Sequence, residues 1–135
     1  ILAHGGGTIP YLAHRIVAGL GRERPSHSGD LGSAHSFPPK PEEGPESGLE
    51  ILKGLYYDTA APGVAHLTAL HEFVGAGRLV FGTDGGWTPP VQTAQTISAL
   101  LAFEGFGPSQ LRQIEEKNVL DLFPRLRPAT PSRVA

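Results

Sequence analysis

The sequence predicts an α/β fold in which helices connect the strands of a parallel sheet. Short apolar segments alternate with helical segments along the chain, a pattern typical of a doubly wound or barrel fold. The predicted strands end at His4, Asp58 and Asp84. Because the carboxyl ends of parallel strands meet at one edge, where ligands bind, we expect these three residues on the same face.

The first predicted unit is a strand, a turn and a helix. The apolar "ILA" precedes the glycine-rich "HGGGT", and "IPYLAHRIVAGL" then has apolar residues at helical spacing, with Pro10 in its first turn. Residues 22–48 are rich in Pro, Ser and Gly, which predicts an excursion between units.

Two further units follow the excursion. "LEILKGL" is predicted to be a short helix, "LYYDTA" a strand and "GVAHLTALHEFVGAG" a helix that ends at its glycines. In the last unit "RLVFGTD" is a strand and "GGWTPP" a loop. The helices "VQTAQTISALLAFEGF" and "QLRQIEEKNVLDLF" complete it, and residues 125–135 form a tail.

The composition excludes several classes of partner. The 135 residues carry a net charge of −2, so we expect neither nucleic acid nor an anionic membrane as a partner. The chain has no cysteine, which excludes disulfides and thiolate metal sites and favours a reducing compartment, and we expect a cytoplasmic location. It also has no methionine, so we expect a piece of a longer protein.

The motif His4-Gly5-Gly6-Gly7 has three interpretations. It is a turn, a cradle whose backbone amides bind an anion, or an esterase loop. An esterase would also need a G-x-S-x-G elbow, which the sequence lacks, and a phosphate-binding P-loop motif is absent as well. The first two interpretations remain open on the residues alone.

The two predicted strand-end carboxylates differ in the function that their sequence context indicates. Asp84 lies between a buried strand and glycines, so it is either a metal ligand or proton carrier, or the cap of the following turn. Asp58 and Thr59 are more typical of a hydrogen-bonded turn, and Tyr56 and Tyr57 of packing.

The sequence gives less support for a functional role of the remaining polar residues. His66 and His71 are five residues apart, which is not the spacing of a metal-binding pair on one helix face, and no complete metal-site motif occurs. Arg15 is either a solvated helix residue or a guanidinium that binds a carboxylate.

Four motifs in order, "HGGGTIPYLAHRI", "LYYDTA", "LVFGTDGGW" and "EEKNVLDLF", resemble the decarboxylase branch of the amidohydrolase-related superfamily. That branch includes aminocarboxymuconate semialdehyde, 6-methylsalicylate and γ-resorcylate decarboxylases. The resemblance implies a metal-dependent (β/α)8 TIM barrel, to which this chain contributes about strands six to eight with their helices. Residues 1–124 would be the carboxyl-terminal part of that single domain, with the excursion at 22–48 inside it.

The resemblance also implies roles for individual residues. Asp84 would be a ligand of a divalent Zn or Mn ion, and His4 a catalytic residue that moves a proton. Arg15 would bind the carboxylate of a small substrate across the interface of a homodimer. Where relatives have Tyr-Pro or Phe-Pro after the metal ligand, this chain has two glycines and then Trp87, which is expected to contribute to substrate binding.

The function implied is non-oxidative decarboxylation of a small carboxylic acid, with aromatic acids among the candidate substrates. Hydrolysis of an ester, amide or lactone is the alternative within the superfamily. Because such a barrel needs about 250 residues, we expect the chain to be inactive by itself. The alternatives from other classes are a non-catalytic remnant or partner-binding fragment, and a small α/β module that binds anions through its glycine loop.

Overall fold

Three extended segments lie side by side in the computed structural model, which describes residues 1–17, 45–61 and 63–128. Leu2 forms a parallel bridge with Tyr57, and β1 (Tyr57–Asp58) pairs in parallel with β2 (Leu79–Val80). The three segments therefore follow one another across the sheet in sequence order. This is the parallel arrangement that the alternating pattern predicts.

Helices account for most of the described residues. No helix in these ranges is long and apolar enough to cross a membrane. The α-helices are α1 (Ile9–Val17), α2 (Pro45–Gly54), α3 (Val64–Val74), α4 (Pro90–Ala102), α5 (Pro108–Arg112) and α6 (Asn118–Leu122), and short 3-10 turns cover His4–Gly6, Ala76–Arg78 and Pro124–Leu126.

Several predicted boundaries are wrong. Residues 45–48 belong to α2, so the excursion predicted for 22–48 does not extend to its last four residues; residues 22–44 lie outside the described ranges. The predicted tail begins inside the 3-10 turn Pro124–Leu126. The helix predicted to reach Phe106 ends at Ala102, because Phe103 adopts an extended conformation and Phe106 turns into the core.

The core lies between the strands and α3, α4 and the carboxyl-terminal helices. Tyr57 is fully buried, packs edge-on against Phe73 and donates its hydroxyl to the carbonyl of Leu52 at 2.7 Å. Burial raises the pKa of the Tyr57 phenol, so the hydroxyl keeps the proton that it donates. The buried residues of this cluster are Tyr57, Leu67, Leu70, Ala76, Leu79, Leu100, Phe106 and Ile114.

The carboxyl-terminal helix is joined to β2 through an irregularity in its own hydrogen bonding. Between α5 and α6 a π-helical segment covers Gln113–Lys117, in which the Asn118 N–H bonds to the Gln113 carbonyl. The carbonyl of Ile114 therefore lacks its usual α-helical donor. It accepts instead from the backbone N–H of Phe81 at 3.0 Å, directly after β2.

A buried asparagine makes the second connection between this helix and the sheet. The side-chain amide of Asn118 donates to the carbonyls of Ala76 at 2.8 Å and Leu79 at 2.6 Å. These carbonyls flank the entry into β2, so Asn118 fixes where that strand begins.

We expect Asn118→Ala to lower the free energy of unfolding by about 2 kcal/mol, because it removes two buried hydrogen bonds and leaves the Ala76 carbonyl with only the backbone N–H of Leu79 as a donor. Urea unfolding monitored by circular dichroism measures the change. Glu116→Ala, at an exposed position of the π segment, is the control and should change stability by less than about 0.5 kcal/mol. Equal effects of the two substitutions would contradict this role.

Candidate active site

The motif after the first strand folds into a left-handed turn. His4, Gly5, Gly6 and Gly7 all have positive φ, at 51°, 59°, 74° and 59°. The N–H of Gly6 bonds to the Ala3 carbonyl at 2.9 Å, and that of Gly7 to the His4 carbonyl at 3.0 Å. Glycine adopts this conformation freely, whereas His4 holds it at a cost of about 1 to 2 kcal/mol.

Asp58, at the end of β1, anchors this turn. Its Oδ1 accepts the backbone N–H of Gly5 at 3.0 Å and that of Ala60 at 3.1 Å. Its own N–H donates to the Leu2 carbonyl at 3.1 Å. The interpretation of Asp58 as a hydrogen-bonding residue is confirmed, and its partner is the glycine turn of the neighbouring strand.

These bonds overturn the anion-cradle interpretation of the glycines. The amides of Gly6 and Gly7 bond within the turn, and the amide of Gly5 already faces the carboxylate of Asp58. No N–H of the three glycines is left for an anion, and Asp58 would repel one. The glycines instead allow the positive φ angles that the left-handed turn requires.

Thr59 joins the ends of β1 and β2. Its buried hydroxyl donates to the Gly82 carbonyl and accepts the Gly82 N–H, both at 3.1 Å. Gly82 also lies against Asp58, since a Cβ there would be 3.1 Å from the Cβ of Asp58. The loop that carries Asp84 is thereby held next to the residue that anchors the His4 turn.

Asp84 has a strained backbone, with φ at 56°, and its carbonyl organises the loop that follows. That carbonyl accepts the backbone N–H groups of Trp87 and Thr88, each at 3.3 Å, and the Thr88 hydroxyl at 3.1 Å. The carboxylate accepts no hydrogen bond from residues 1–17, 45–61 or 63–128. Within these ranges the turn is therefore closed by the backbone of Asp84 and not by its side chain.

His4 is exposed, and one of its ring nitrogens has a partner. Nδ1 lies 3.4 Å from the carbonyl of Ala60. A carbonyl only accepts hydrogen bonds, so this contact assigns the donor role to Nδ1 and leaves Nε2 free for other partners. In the described residues, His4 and Asp84 are the two non-glycine residues with positive φ, and such strain is concentrated at functional sites.

The two predicted substrate-binding residues are both exposed. Arg15 lies on α1, and no acidic side chain of the described ranges forms an ion pair with it. Trp87 is 91% exposed in the loop after Asp84. Within the described ranges, neither side chain forms a hydrogen bond with His4.

His66 is the residue that sequence reasoning missed. Its half-buried ring covers Gly5 so closely that a Cβ on Gly5 would overlap it. His71, five residues later, packs edge-on against Phe103 and Phe106 instead, so the two histidines do occupy different faces of α3. No sequence signal marks His66, because its contact partner is a residue without a side chain on a distant segment.

The environment of His66 disfavours its charged form. Burial lowers the pKa of the imidazole, and the nearby Asp58 carboxylate opposes this effect by raising it. The Nε2 atom is buried and has no hydrogen-bond partner in the part of the chain that the structure describes. Protonation of that nitrogen would place a charged donor where it has no acceptor.

The described residues do not contain a complete metal site. In residues 1–17, 45–61 and 63–128, no three His, Cys, Asp or Glu side chains come together as a ligand set. Asp84 fits the role of a single ligand, because its carboxylate is only partly buried and unbonded within these ranges. Further ligands would have to come from outside them.

The parallel strand order and the polar residues at the carboxyl ends define an α/β protein with a candidate site at one edge of its sheet. No family model matches the chain. Curated proteins do match it, and all three described below are decarboxylases.

The chain is 33% identical over 128 residues to a 6-methylsalicylic acid decarboxylase of Penicillium expansum, covering 94% of the chain and 35% of that protein. It is 29% identical to the 6-methylsalicylic acid decarboxylase acuB of Aspergillus aculeatus, covering 99% of the chain and 38% of the relative. Decarboxylase yanB of Aspergillus niger is 27% identical, with coverages of 99% and 33%. The chain thus spans about a third of the length of these relatives.

A solved structure supports the same relationship. The crystal structure of Metarhizium anisopliae IDCase in apo form superposes with a TM-score of 0.58 at 26% identity, covering 89% of this chain and 32% of that one. The resemblance to the decarboxylase branch of the amidohydrolase-related superfamily is confirmed: the relatives of this chain are 6-methylsalicylic acid decarboxylase-like proteins.

We expect Thr59→Val to destabilise the fold by about 2 kcal/mol, because the isosteric side chain leaves the N–H and carbonyl of Gly82 unpaired. Urea unfolding measures this loss. Thr68→Val is the matched control, since the Thr68 hydroxyl is exposed and bonds only to the Val64 carbonyl one helical turn away. A loss for Thr59→Val no larger than for Thr68→Val would contradict the bridging role of Thr59.

The lowered pKa of His66 predicts a pH dependence of stability. The unfolded chain binds the proton more readily, so stability is complete above the ordinary histidine pKa of about 6.5 and falls as the pH decreases below it. We expect His66→Phe to show a shallower loss of unfolding free energy between about pH 7 and pH 5. Urea titrations at several pH values test this, and equal slopes for the two proteins would contradict it.

Proposed function

We propose that this chain is the carboxyl-terminal part of a metal-dependent, non-oxidative decarboxylase that acts on a small aromatic carboxylic acid. The observation that supports this proposal most is the pair His4 and Asp84, which are the two non-glycine residues with positive φ in the described ranges, in a chain whose relatives are decarboxylases. The complete enzyme would be a (β/α)8 barrel, with this chain contributing strands six to eight. The absence of cysteine is consistent with a cytoplasmic location.

The proton in this reaction is assigned to His4. Loss of CO2 requires protonation of the carbon that bears the carboxylate, after which the electrons of the breaking C–C bond return to the ring. His4 is exposed at the strand edge, and its Nδ1–H contact with the Ala60 carbonyl leaves Nε2 as the atom that would take up a proton from solvent and pass it to the ring carbon. The strained backbone of His4 holds the imidazole at the edge of the sheet.

Asp84 is proposed as the ligand that this chain supplies to a divalent Zn or Mn ion. The Asp84 carboxylate accepts no hydrogen bond within the described residues, so its oxygens are available to a metal ion. Carboxylate oxygens are ordinary ligands of both ions. When bound, the ion would supply positive charge that polarises an oxygen of the substrate. The other ligands would come from the part of the barrel outside this chain.

Substrate binding is assigned to Arg15 and Trp87. The planar guanidinium of Arg15 suits a carboxylate, and its exposed position on α1 allows it to reach the site of a second subunit in a homodimer. The exposed indole of Trp87 lies three residues after Asp84 and offers a flat apolar surface to an aromatic ring. Because these elements form only part of the site, the chain by itself is proposed to be inactive.

The test is to express the protein as its gene encodes it, including any coding sequence upstream of Ile1, and to measure CO2 release from 6-methylsalicylate and related aromatic acids. We expect activity that is lost with a chelator and restored by Zn or Mn. Asp84→Asn should lower kcat at least about 100-fold together with the metal content, and His4→Gln should lower kcat with the metal retained. Absence of CO2 release, or turnover of esters or lactones only, would refute the decarboxylase assignment.

Arg15→Ala tests the assignment of the substrate carboxylate. We expect KM to rise about 10- to 100-fold with a smaller change in kcat, because a charge-assisted hydrogen bond to the substrate is lost. Arg112→Ala, at an exposed position of α5, is the control and should leave both parameters unchanged. An unchanged KM in the Arg15 variant would contradict the assignment.

A further inference from the structure

The half-buried imidazole of His66 contacts the His4–Gly7 turn, yet the proposed chemistry does not use it. A Cβ added to Gly5 would overlap the Cε1 and Nε2 atoms of the His66 ring, so the ring lies directly on the backbone of Gly5. The Nε2 atom is inaccessible and has no hydrogen-bond partner among the described residues. Since this nitrogen binds nothing there, the ring acts through the space that it fills.

Gly5 is thereby held from two directions. The Asp58 carboxylate accepts its N–H at 3.0 Å, and the His66 ring covers its Cα. A peptide unit is planar, so the direction of the Gly5 N–H also fixes the positions of the His4 Cα and carbonyl. The His4 carbonyl in turn accepts the Gly7 N–H at 3.0 Å. Restraining Gly5 therefore restrains the backbone that carries the His4 side chain.

This restraint matters because glycine is the residue with the greatest backbone freedom. Gly5, Gly6 and Gly7 follow His4 without interruption, and without a cover each can leave the left-handed region at little cost. The His66 ring removes that freedom at the first glycine. Gly7, in contrast, has no heavy atom within 4 Å of the position that its Cβ would take.

We propose that His66 is a positioning residue: by packing on Gly5 it holds the His4 imidazole in the orientation that proton transfer requires. This inference rests on the proposed function of His4. The restraint on Gly5 requires a flat ring at position 66 and does not require the ring nitrogens.

The first experiment compares His66→Ala with His66→Phe in the full protein. We expect His66→Ala to lower kcat about tenfold with KM nearly unchanged, because the reacting group loses its alignment, and to accelerate hydrogen exchange of the Gly5 amide at least tenfold. His66→Phe should restore both quantities to within about threefold of the wild type. His71→Ala, which removes an imidazole from another face of the same helix, should leave the exchange of the Gly5 amide unchanged.

Two results would overturn the inference. One is an unchanged exchange rate of the Gly5 amide in His66→Ala, which would show that the ring does not restrain the turn. The other is a His66→Phe variant as impaired as His66→Ala, which would show that a ring nitrogen is needed.

A double-mutant cycle provides a readout without turnover. Gly5→Ala should lower Tm through both backbone strain and overlap with His66, and His66→Ala should recover part of this loss. Gly7→Ala, which also places a side chain at positive φ but in open space, should show no recovery in the same background. Equal coupling of both glycines to His66, or coupling of neither, would overturn the inference.

These measurements separate the two proposals. A wild-type protein that releases no CO2 refutes the proposed function. The exchange rates and the double-mutant cycle then still decide whether His66 restrains Gly5.

Discussion

The hydrogen bonds accepted by Asp58 are the interaction on which the candidate site depends. One carboxylate oxygen joins the glycine turn of the first strand to the backbone beyond β1, at 3.0 and 3.1 Å. Two strand ends that are more than fifty residues apart in the sequence are thus fixed relative to each other. Hydrogen bonds to a carboxylate are stronger than those between neutral groups, which suits Asp58 to this role.

The third strand end joins the same arrangement through Thr59 and Gly82. The reciprocal hydrogen bonds between them fix the loop that contains Asp84 relative to the end of β1. A side chain at Gly82 would press against Asp58, so the close approach of the two loops depends on its absence. The site is therefore organised by residues that do not take part in the proposed chemistry, while His4 and Asp84 are held at its surface in strained conformations.

Much of this architecture could be predicted from the sequence. The order of strands and helices, their parallel pairing and the position of Asp58 at the end of β1 follow from apolar periodicity and from turn residues, which act locally. Asp84 was predicted at the end of its strand but lies four residues beyond β2, and His4 lies in the turn after the Leu2 bridge. The sequence could not decide the features that depend on long-range contacts. The strands are two residues long, shorter than the predicted segments. Of the two interpretations left open for the glycines, the structure supports the turn, because their amides bond to Asp58 and within the turn.

His66 shows most clearly why the remaining features of the site could not be predicted from the sequence. Its role depends on its contact with Gly5. That contact results from the packing of α3 against the first turn and not from any spacing along the chain. Asn118 is similar, because its two acceptors lie about forty residues upstream. His66 lies outside the four motifs of the family resemblance. Asn118 lies inside "EEKNVLDLF", but that motif predicts a helix and not the contact with β2.

The π-helical segment Gln113–Lys117 has a consequence for how this chain tolerates changes in length. A π turn holds more residues than an α turn, so deleting one residue there would return the helix to α-helical register. The Ile114 carbonyl would then regain a donor within the helix and no longer be reserved for Phe81, and Asn118 would rotate away from the carbonyls that flank β2. The number of residues between Pro108 and Asn118 is therefore set by the sheet and not by the helix that contains them.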